Sequence, residues 1–294
     1  MEKQEKNLNP YEYAVLICSH NGNKKLPIVI KSLIYSDLPP TNIYIVGTSK
    51  YDCIELKNKN LLNSNIKFIL SPIANQVTQR LIGLTHIKEE IILQADDDLE
   101  FKSNCTKNLY NFLLKNDNTI VSPLVITKNN EPCCKRWIKL YDNSIVYRTY
   151  LKLLGWEIKY SNPQTILKNG AVIPMVKIPK EALSVDWICS TRMYRKKDIE
   201  GIYYILNNGK SWFEDVLSSI ELKIKNNKKL YLLPSATIYQ DINKTISIMD
   251  HIKLSRIQLS IADKVNGSKI LAIIDIVGTI FIKSIMRIRK IKKL

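Results

Sequence analysis

Glycine is scarce in this chain, with nine residues among 294. The segment that follows the first apolar run, His20 to Lys24, contains one glycine only. A loop that cradles phosphate groups with its backbone N–H groups usually carries several glycines. The sequence therefore argues against enzymes that grip a nucleotide through a glycine-rich loop after their first strand.

Paired cysteine motifs and long apolar runs are also absent. The six cysteines include no CxxC pair, which argues against a zinc site and favours reduced thiols in the cytoplasm. Residues 1–10 are polar and charged, so we expect no secretory signal there. The most apolar stretch, Ile270 to Ile282, is shorter than the ~20 residues that a membrane-spanning helix needs.

Acidic residues are outnumbered by basic ones, which gives a formal net charge of +17. A chain with this charge is expected to bind a polyanion: nucleic acid, an anionic membrane or a phosphorylated substrate. Part of the excess lies at the C-terminus, where the last twelve residues contain six basic residues and no acid. These are Lys283, Arg287, Arg289, Lys290, Lys292 and Lys293.

Apolar residues near these basic residues share one helical face, at Val277, Phe281, Ile285 and Ile288. Such a face, with basic residues elsewhere on the helix, is typical of helices that lie on an anionic leaflet. We therefore predict a cytoplasmic protein that is peripheral on the inner face of the cell membrane. An ordinary packing helix with a charged tail is the alternative.

Strand-like apolar runs alternate with helical spacing along the chain, which predicts an α/β fold with a mostly parallel sheet flanked by helices. We expect one domain over residues 1–244, with a long excursion over the sheet at 126–182, and a C-terminal helical segment at 245–294. The predicted strands are Tyr13–Cys18, Asn42–Val46, Ile66–Leu70, Ile91–Ala95, Thr119–Ile126, Val185–Cys189 and Leu230–Leu233.

Three consecutive aspartates, Asp96, Asp97 and Asp98, end the apolar run that begins at Ile91. Their mutual repulsion requires a positive partner, and Mg²⁺ or Mn²⁺ prefers such oxygen ligands while accepting substrate phosphates as the remaining ones. Asp96 and Asp98 would share one side of an extended chain. A solvated turn before a helix at about Ser103 is the alternative.

Other polar residues follow the first two strands, at the edge where open α/β sheets bind ligands. They are His20, Asn21, Gly47 and Ser49. Arg80, on the predicted helix before the aspartates, is a natural partner for a diphosphate or for the aspartates themselves. A surface arginine that lies over apolar neighbours is the alternative.

A second acidic site, Ser211 to Asp215, begins a predicted helix whose core face includes Phe213 and Val216. Asp215 points away from that face, so we expect it to line solvent or a cleft and to act as a general base. Glu214 has the spacing of a capping box with Ser211, which gives it a local structural role as the alternative.

Together these segments resemble glycosyltransferase family 2, which has the GT-A fold, and the resemblance runs in order from about Tyr13 to Asp241. The family is indicated by three motifs in order: a DxD motif, an acceptor-side segment and an ED pair. At these separations the combination is fairly specific for the family. The segments that carry the resemblance are Val15–Asn21, Ile43–Ser49, Gln79–Leu84, Ile91–Asp98 (DxD), Val185–Trp187 with Arg192–Arg195, and Phe213–Val216 (ED).

The resemblance implies an inverting transferase that moves a sugar from a nucleotide-diphosphate sugar to a glycan or lipid-linked acceptor in bacterial surface polysaccharide synthesis. It implies Mg²⁺ or Mn²⁺, held by Asp96 and Asp98 with Asp241 as a further ligand, and Asp215 as general base. The residues implied at the acceptor are Asp186, Trp187 and Glu214. The residues implied at the donor are Ser19, Asn21, Gly47, Ser49, Asp52, Arg80, Asp96 and Asp97.

The chain departs from the family pattern at two points. Gly47 stands where the family often has an aspartate that reads the base, and Asp52 is a candidate to replace it. Gln240 and Asp241 stand where many relatives have a metal-binding histidine, for which His251 is another candidate. A sugar nucleotidyltransferase and a non-enzymatic polyanion-binding protein remain as alternatives, and we expect no nucleic-acid partner.

Overall fold

The computed structural model describes residues 12–20, 25–49, 65–132, 164–175, 177–202, 213–240 and 248–291, together with positions 145, 149, 150 and 152. In chain order the elements are β1 (Ala14–Cys18), α1 (Leu26–Ile34), β2 (Asn42–Gly47), β3 (Ile66–Leu70), α2 (Gln76–His86), β4 (Ile91–Asp96), β5 (Glu100–Phe101), α3 (Cys105–Lys115), β6 (Thr119–Ile126), β7 (Thr165–Ile166), β8 (Val172–Ile173), β9 (Leu183–Ser184), β10 (Arg192–Arg195), a 3-10 helix (Lys196–Ile199), α4 (Glu214–Ile224), β11 (Lys229–Tyr239), α5 (Ile248–Lys264) and α6 (Lys269–Ile291).

The sheet is parallel in its N-terminal half. β1 pairs in parallel with β2 and β4, and β2 pairs in parallel with β3. β10 lies antiparallel between β4 and β6, and β11 then pairs in parallel with β6. Among the described residues the order is β3-β2-β1-β4-β10-β6-β11-β5, with β9 also on β11. The predicted α/β fold with a mostly parallel sheet is confirmed.

Helices cover both faces of this sheet, and β1 contributes to a core on each. Val15 and Ile17 belong to the core that α1 and α3 complete. Ala14 and Leu16 belong to the opposite core, which includes Val77 of α2. Because both faces are buried, the strand has no polar alternation and appears in the sequence as one apolar run.

Two predicted strands differ from the structure by more than one residue. The predicted strand at Val185–Cys189 is wrong, because part of this segment hydrogen-bonds outside the ladder: the N–H of Ile188 donates to Ser219 Oγ at 3.1 Å. The strand predicted to end at Leu233 continues to Tyr239, with an irregular register past Pro234. In both segments the apolar pattern predicted that the chain is buried, but it did not predict which groups the backbone hydrogen-bonds to.

Helix α5 packs against α4, and α6 packs against α5. Ile261 of α5 contacts the side chains of Val216 and Ile220, and Lys264 forms an ion pair with Glu221. The predicted helical character of this segment is confirmed by α5 and α6. Among the described residues, no helix has the length and apolar character needed to cross a bilayer. The domain boundary at residue 244 stays a prediction.

Helix α2 packs closely against β1 at Gly83. A Cβ at this position would lie 2.3 Å from Leu16 Cδ1 and 3.0 Å from Val46 Cγ2. We predict that Gly83→Ala lowers the free energy of unfolding by about 1–3 kcal/mol, although alanine is the better helix former. Urea denaturation measures the change. Thr85→Ala, at an exposed position of the same helix, is the control and should change the free energy of unfolding by no more than ~0.5 kcal/mol. Equal stabilities of the two variants would contradict the close approach of Gly83 to β1.

Candidate active site

The carboxyl ends of the parallel strands bring the predicted polar residues together. Cys18 at the end of β1 is in register with Asp96 at the end of β4. Ser19, the next residue, donates its hydroxyl to Asp97 Oδ2 at 2.9 Å. Gln79 of α2 donates through Nε2 to the carbonyl of Ser19 at 2.7 Å, which fixes the turn after β1. The end of β1 and the aspartates that follow β4 are therefore in contact through Ser19 and Asp97.

A buried arginine links the two acidic motifs. Arg80 is 1% exposed, and its guanidinium forms ion pairs with Glu214 and, at 3.4 Å, with Asp96 Oδ1. Asp96 ends β4 and Glu214 begins α4, so the arginine holds the DxD segment against the ED pair. The interpretation of Arg80 as a surface residue is wrong, because it is buried, and it pairs with one of the three aspartates, Asp96. A direct contact with a donor diphosphate stays a prediction.

Asp96 is engaged through both of its carboxylate oxygens. Gln76 Nε2 donates to Oδ1 at 3.1 Å, and the Ser190 hydroxyl donates to Oδ2. Burial raises the pKa of Asp96, and the charge of Arg80 opposes that rise. These contacts orient the carboxylate at the end of β4, and the role of Asp96 as a metal ligand stays a prediction.

Asp98 is the aspartate of the motif best placed for a cation. Its Oδ1 accepts a hydrogen bond from Gln240 Nε2 at 3.0 Å, and it lines a small cleft with Lys25 and Tyr239. Mg²⁺ at nucleotide sites usually takes one or two carboxylates and completes its shell with phosphates and water, which Asp98 fits. The described residues include no group of three His, Cys, Asp or Glu side chains that would hold a metal by itself. Asp241 lies outside them.

The ED pair directs its two carboxylates to different places. Phe213, just before α4, has a φ of 55°, in the left-handed region that is uncommon for an aromatic residue. After this turn, Glu214 is buried against Arg80 while Asp215 lines a cavity. The carboxylate of Glu214 pairs with the arginine, and Ser211, the other residue of the capping-box alternative, lies outside the described residues.

The environment of Asp215 suits it to accept a proton. Burial raises the pKa of Asp215 to about 6, and the neighbouring charge of Glu214 contributes to the rise. The N–H of Val216 donates to Asp215 Oδ1 at 2.9 Å, and this bond and the charge of Arg192 lower the pKa again. A carboxylate with a pKa near 6 is ionised at neutral pH and still basic enough for general-base catalysis.

A cavity of about 230 Å³ lies between the end of β4 and the start of α4. Asp96 and Asp215 both line it, and so does Gln240, which also contacts Asp98. Apolar walls with a few convergent polar groups are typical of small-molecule sites. The apolar lining residues are Leu99, Pro123, Val125, Pro174, Met175, Trp187, Leu232 and Ile238.

Of the three residues predicted at the acceptor, Trp187 alone lines this cavity, and its indole N–H donates to the carbonyl of Ile173 at 3.2 Å. Asp186 instead pairs with Lys223 at 2.9 Å and accepts the N–H of Ile166 at 3.1 Å. These bonds fasten the excursion to α4. Neither Asp186 nor Glu214 is among the residues that line the cavity, and their acceptor roles stay predictions.

Apart from Arg80 and Asp96, which pair with one another, the residues predicted at the donor divide into three groups. Ser19 and Asp97 contact one another, as described above. Gly47 is buried at the end of β2, and Ser49 follows it half-buried, next to the same edge of the sheet. Asn21 and Asp52 lie outside the described residues.

Polar residues of the site that were not predicted include Gln76, Gln79, Ser190 and Gln240. Gln76 and Gln79 share a helical face with Arg80, since positions three and four apart are neighbours on a helix. That polar face, ahead of the aspartates, was the available signal. Ser190 carries no such signal, because only the tertiary fold brings it to Asp96.

Solved structures with similar folds were found at low sequence identity. S. aureus TarS has a TM-score of 0.53 and 15% identity, over 85% of this chain and 39% of that chain. S. aureus TarS in complex with UDP has a TM-score of 0.51 and 15% identity, over 85% and 65%. GalNAc-T7 with UDP, GalNAc and Mn²⁺ has a TM-score of 0.55 and 12% identity, over 85% and 48%. The chain thus spans less than two thirds of each.

These structural likenesses establish the fold alone, and no curated protein sequence matches the chain significantly. The sequence profile described as Glycosyl transferase family 2 matches residues 14–166, which is just over half of the chain and includes the DxD segment. The GT-A arrangement of the sheet and the profile match agree with one another. The chain therefore belongs to glycosyl transferase family 2.

Proposed function

We propose that this protein is an inverting glycosyltransferase. It moves a sugar from a nucleoside-diphosphate sugar to a hydroxyl of a glycan or lipid-linked acceptor, in the synthesis of a bacterial surface polysaccharide. One observation carries the proposal: Asp96 of the DxD segment and Asp215 of the ED pair line the same cavity. Family membership supports the reaction class.

The donor would bind along the carboxyl edge of the parallel strands. Ser19, Asp97 and the turn after Gly47 lie there, beside the cleft at Asp98. Structures of TarS with UDP and of GalNAc-T7 with UDP and Mn²⁺ support a nucleotide donor and a divalent cation. Asp98 would hold Mg²⁺ or Mn²⁺ together with the diphosphate, and the cation would supply charge neutralisation for the leaving group.

The acceptor hydroxyl would enter the cavity beside Asp215. Asp215 takes the hydroxyl proton, the oxygen forms a bond to the anomeric carbon, and the bond from that carbon to the diphosphate oxygen breaks. Attack from the side opposite the leaving group inverts the configuration. Asp215 is better suited to this step than Asp96, the other carboxylate of the cavity. The carboxylate of Asp96 already pairs with Arg80 and accepts hydrogen bonds from Gln76 and Ser190. Trp187 provides an apolar surface for a sugar ring.

A thermal-shift screen of nucleoside diphosphates, with and without Mn²⁺, tests the donor site. We predict that one diphosphate stabilises the protein in a Mn²⁺-dependent way, because a ligand that binds only the folded state raises its melting temperature. Asp98→Asn should weaken this binding at least ~10-fold, since even outer-shell partners of a metal contribute ~10–100-fold to its affinity.

Asp117→Asn, at a fully exposed carboxylate, is the matched control and should bind like the parent. Failure of every diphosphate to stabilise the parent would contradict the proposed function. Unchanged affinity in Asp98→Asn would contradict the metal role alone.

We predict that Asp215→Asn keeps donor binding but lowers transfer at least ~100-fold, the usual scale of a general-base contribution. Release of the nucleoside diphosphate in the presence of acceptor measures turnover, and Asp117→Asn again serves as control. Turnover of the parent should fall as the pH drops through about 6, because Asp215 must be ionised to accept the proton. Near-normal turnover of Asp215→Asn would mean that this carboxylate only stabilises the N-terminus of α4 and is not the general base.

The same variant should be more stable than the parent at high pH. The pKa of Asp215 in the folded protein, about 6, lies above its ordinary 3.8, so the folded state loses stability as the pH rises through about 6. Asparagine stays neutral and keeps an oxygen for the N–H of Val216. We predict a gain of up to about 3 kcal/mol at about pH 8 that disappears at about pH 4. Urea denaturation at both pH values measures it, and a gain independent of pH would contradict the raised pKa.

A further inference from the structure

Helix α6 carries a stripe of large apolar side chains that point to solvent. The stripe consists of Ile270, Ile273, Ile274, Val277 and Phe281, which are between 48% and 72% exposed. Residues spaced by three and four positions lie on one face of a helix, so the side chains form a continuous surface. Single exposed apolar residues are normal in soluble proteins, whereas a continuous apolar patch marks an interaction site.

The opposite face of α6 is anchored by a buried carboxylate. Asp275 is 3% exposed, and its Oδ2 accepts hydrogen bonds from Gln258 Nε2 at 2.8 Å and Asn169 Nδ2 at 3.2 Å. Rotation of the helix to bury the stripe would move Asp275 away from these donors, and breaking buried hydrogen bonds to a charged group is costly. The packing of α6 therefore fixes which face stays outside.

The segment that anchors α6 also reaches the cavity. Asn169 lies between Gln164 and Pro174, both of which line the cavity that contains Asp215. The turn between α5 and α6 is joined to the same segment by a hydrogen bond of 2.7 Å from the N–H of Ser268 to the carbonyl of Lys168. The two ends of this short piece of chain therefore line the cavity, while its middle contacts Asp275 of α6 and the turn before that helix.

The charge beside the stripe indicates its partner. Six basic residues and no acid follow the stripe, in residues 283–294. A second copy of this chain would bring its own charge of +17 against the first, which opposes self-association. An anionic bilayer offers both an apolar phase for the stripe and negative headgroups for the basic residues.

We propose that the Ile270–Phe281 stripe inserts into the headgroup region of an anionic bilayer, with the basic C-terminal residues on the membrane surface. The helix would lie on the membrane rather than span it. This placement would hold the cavity beside a lipid-linked acceptor, whose anchor stays in the bilayer while its sugar or hydroxyl enters the site. The statement about the acceptor rests on the proposed function, and the statement about membrane binding does not.

Co-sedimentation of the full chain with phosphatidylcholine vesicles, with and without phosphatidylglycerol, tests the proposal. We expect binding that requires the anionic lipid and weakens with salt, because salt screens exposed charges. Val277→Glu combined with Phe281→Glu should weaken binding at least ~10-fold, given the apolar area that each side chain would bury. Leu114→Glu combined with Ile224→Glu adds the same charge at exposed apolar positions of α3 and α4, and should bind like the parent.

Three results would overturn the proposal. The first is that the parent does not bind anionic vesicles, and the second is that the stripe and control variants bind equally. The third is that light scattering shows a dimer of the parent that the stripe variant does not form. The nucleoside-diphosphate thermal shift is measured on the same variants. An unchanged shift in the stripe variant together with lost vesicle binding would support the proposal. If the parent binds vesicles but no nucleoside diphosphate changes its melting temperature, the membrane-binding proposal is supported and the proposed function is contradicted.

Discussion

The buried guanidinium of Arg80 is the constraint on which the site depends. It is 1% exposed and is compensated by Asp96 at the end of β4 and Glu214 at the start of α4. Removing one partner from a buried ion pair typically costs about 3–5 kcal/mol, because the remaining charge is left uncompensated. The two acidic motifs, far apart in the chain, are therefore held together by the same charge that makes their burial tolerable.

Four carboxylates close to one another have different environments, and this difference defines what each is suited to do. Asp96 and Glu214 are occupied by Arg80 and are suited to holding the site in shape. Asp215 follows Glu214 directly but lines the cavity, and its pKa is raised to about 6. Asp98 lines the adjacent cleft with Gln240 beside it. The left-handed turn at Phe213 separates the directions of Glu214 and Asp215.

Much of the fold was predictable because its strands are buried on both faces. β1 appears as a short apolar run and β4 begins with one, which is typical of strands buried on both faces. The prediction failed where backbone partners depend on distant chain: Val185–Cys189 is apolar, but Ile188 bonds to the side chain of Ser219 rather than to a strand. The long strand β11 continues past Pro234, where local propensity indicated an end.

The sequence by itself determined the fold class, the position of the acidic motifs at a strand end and a helix start, and the excess of basic residues at the C-terminus. These are local features, set by apolar spacing and by residue type. The tertiary structure alone decided that Arg80 bridges the motifs, that Ser190 reaches Asp96, and that Asp186 fastens the excursion instead of lining the cavity. Such contacts depend on burial and on charge pairing between segments that are remote in sequence, which no local pattern encodes.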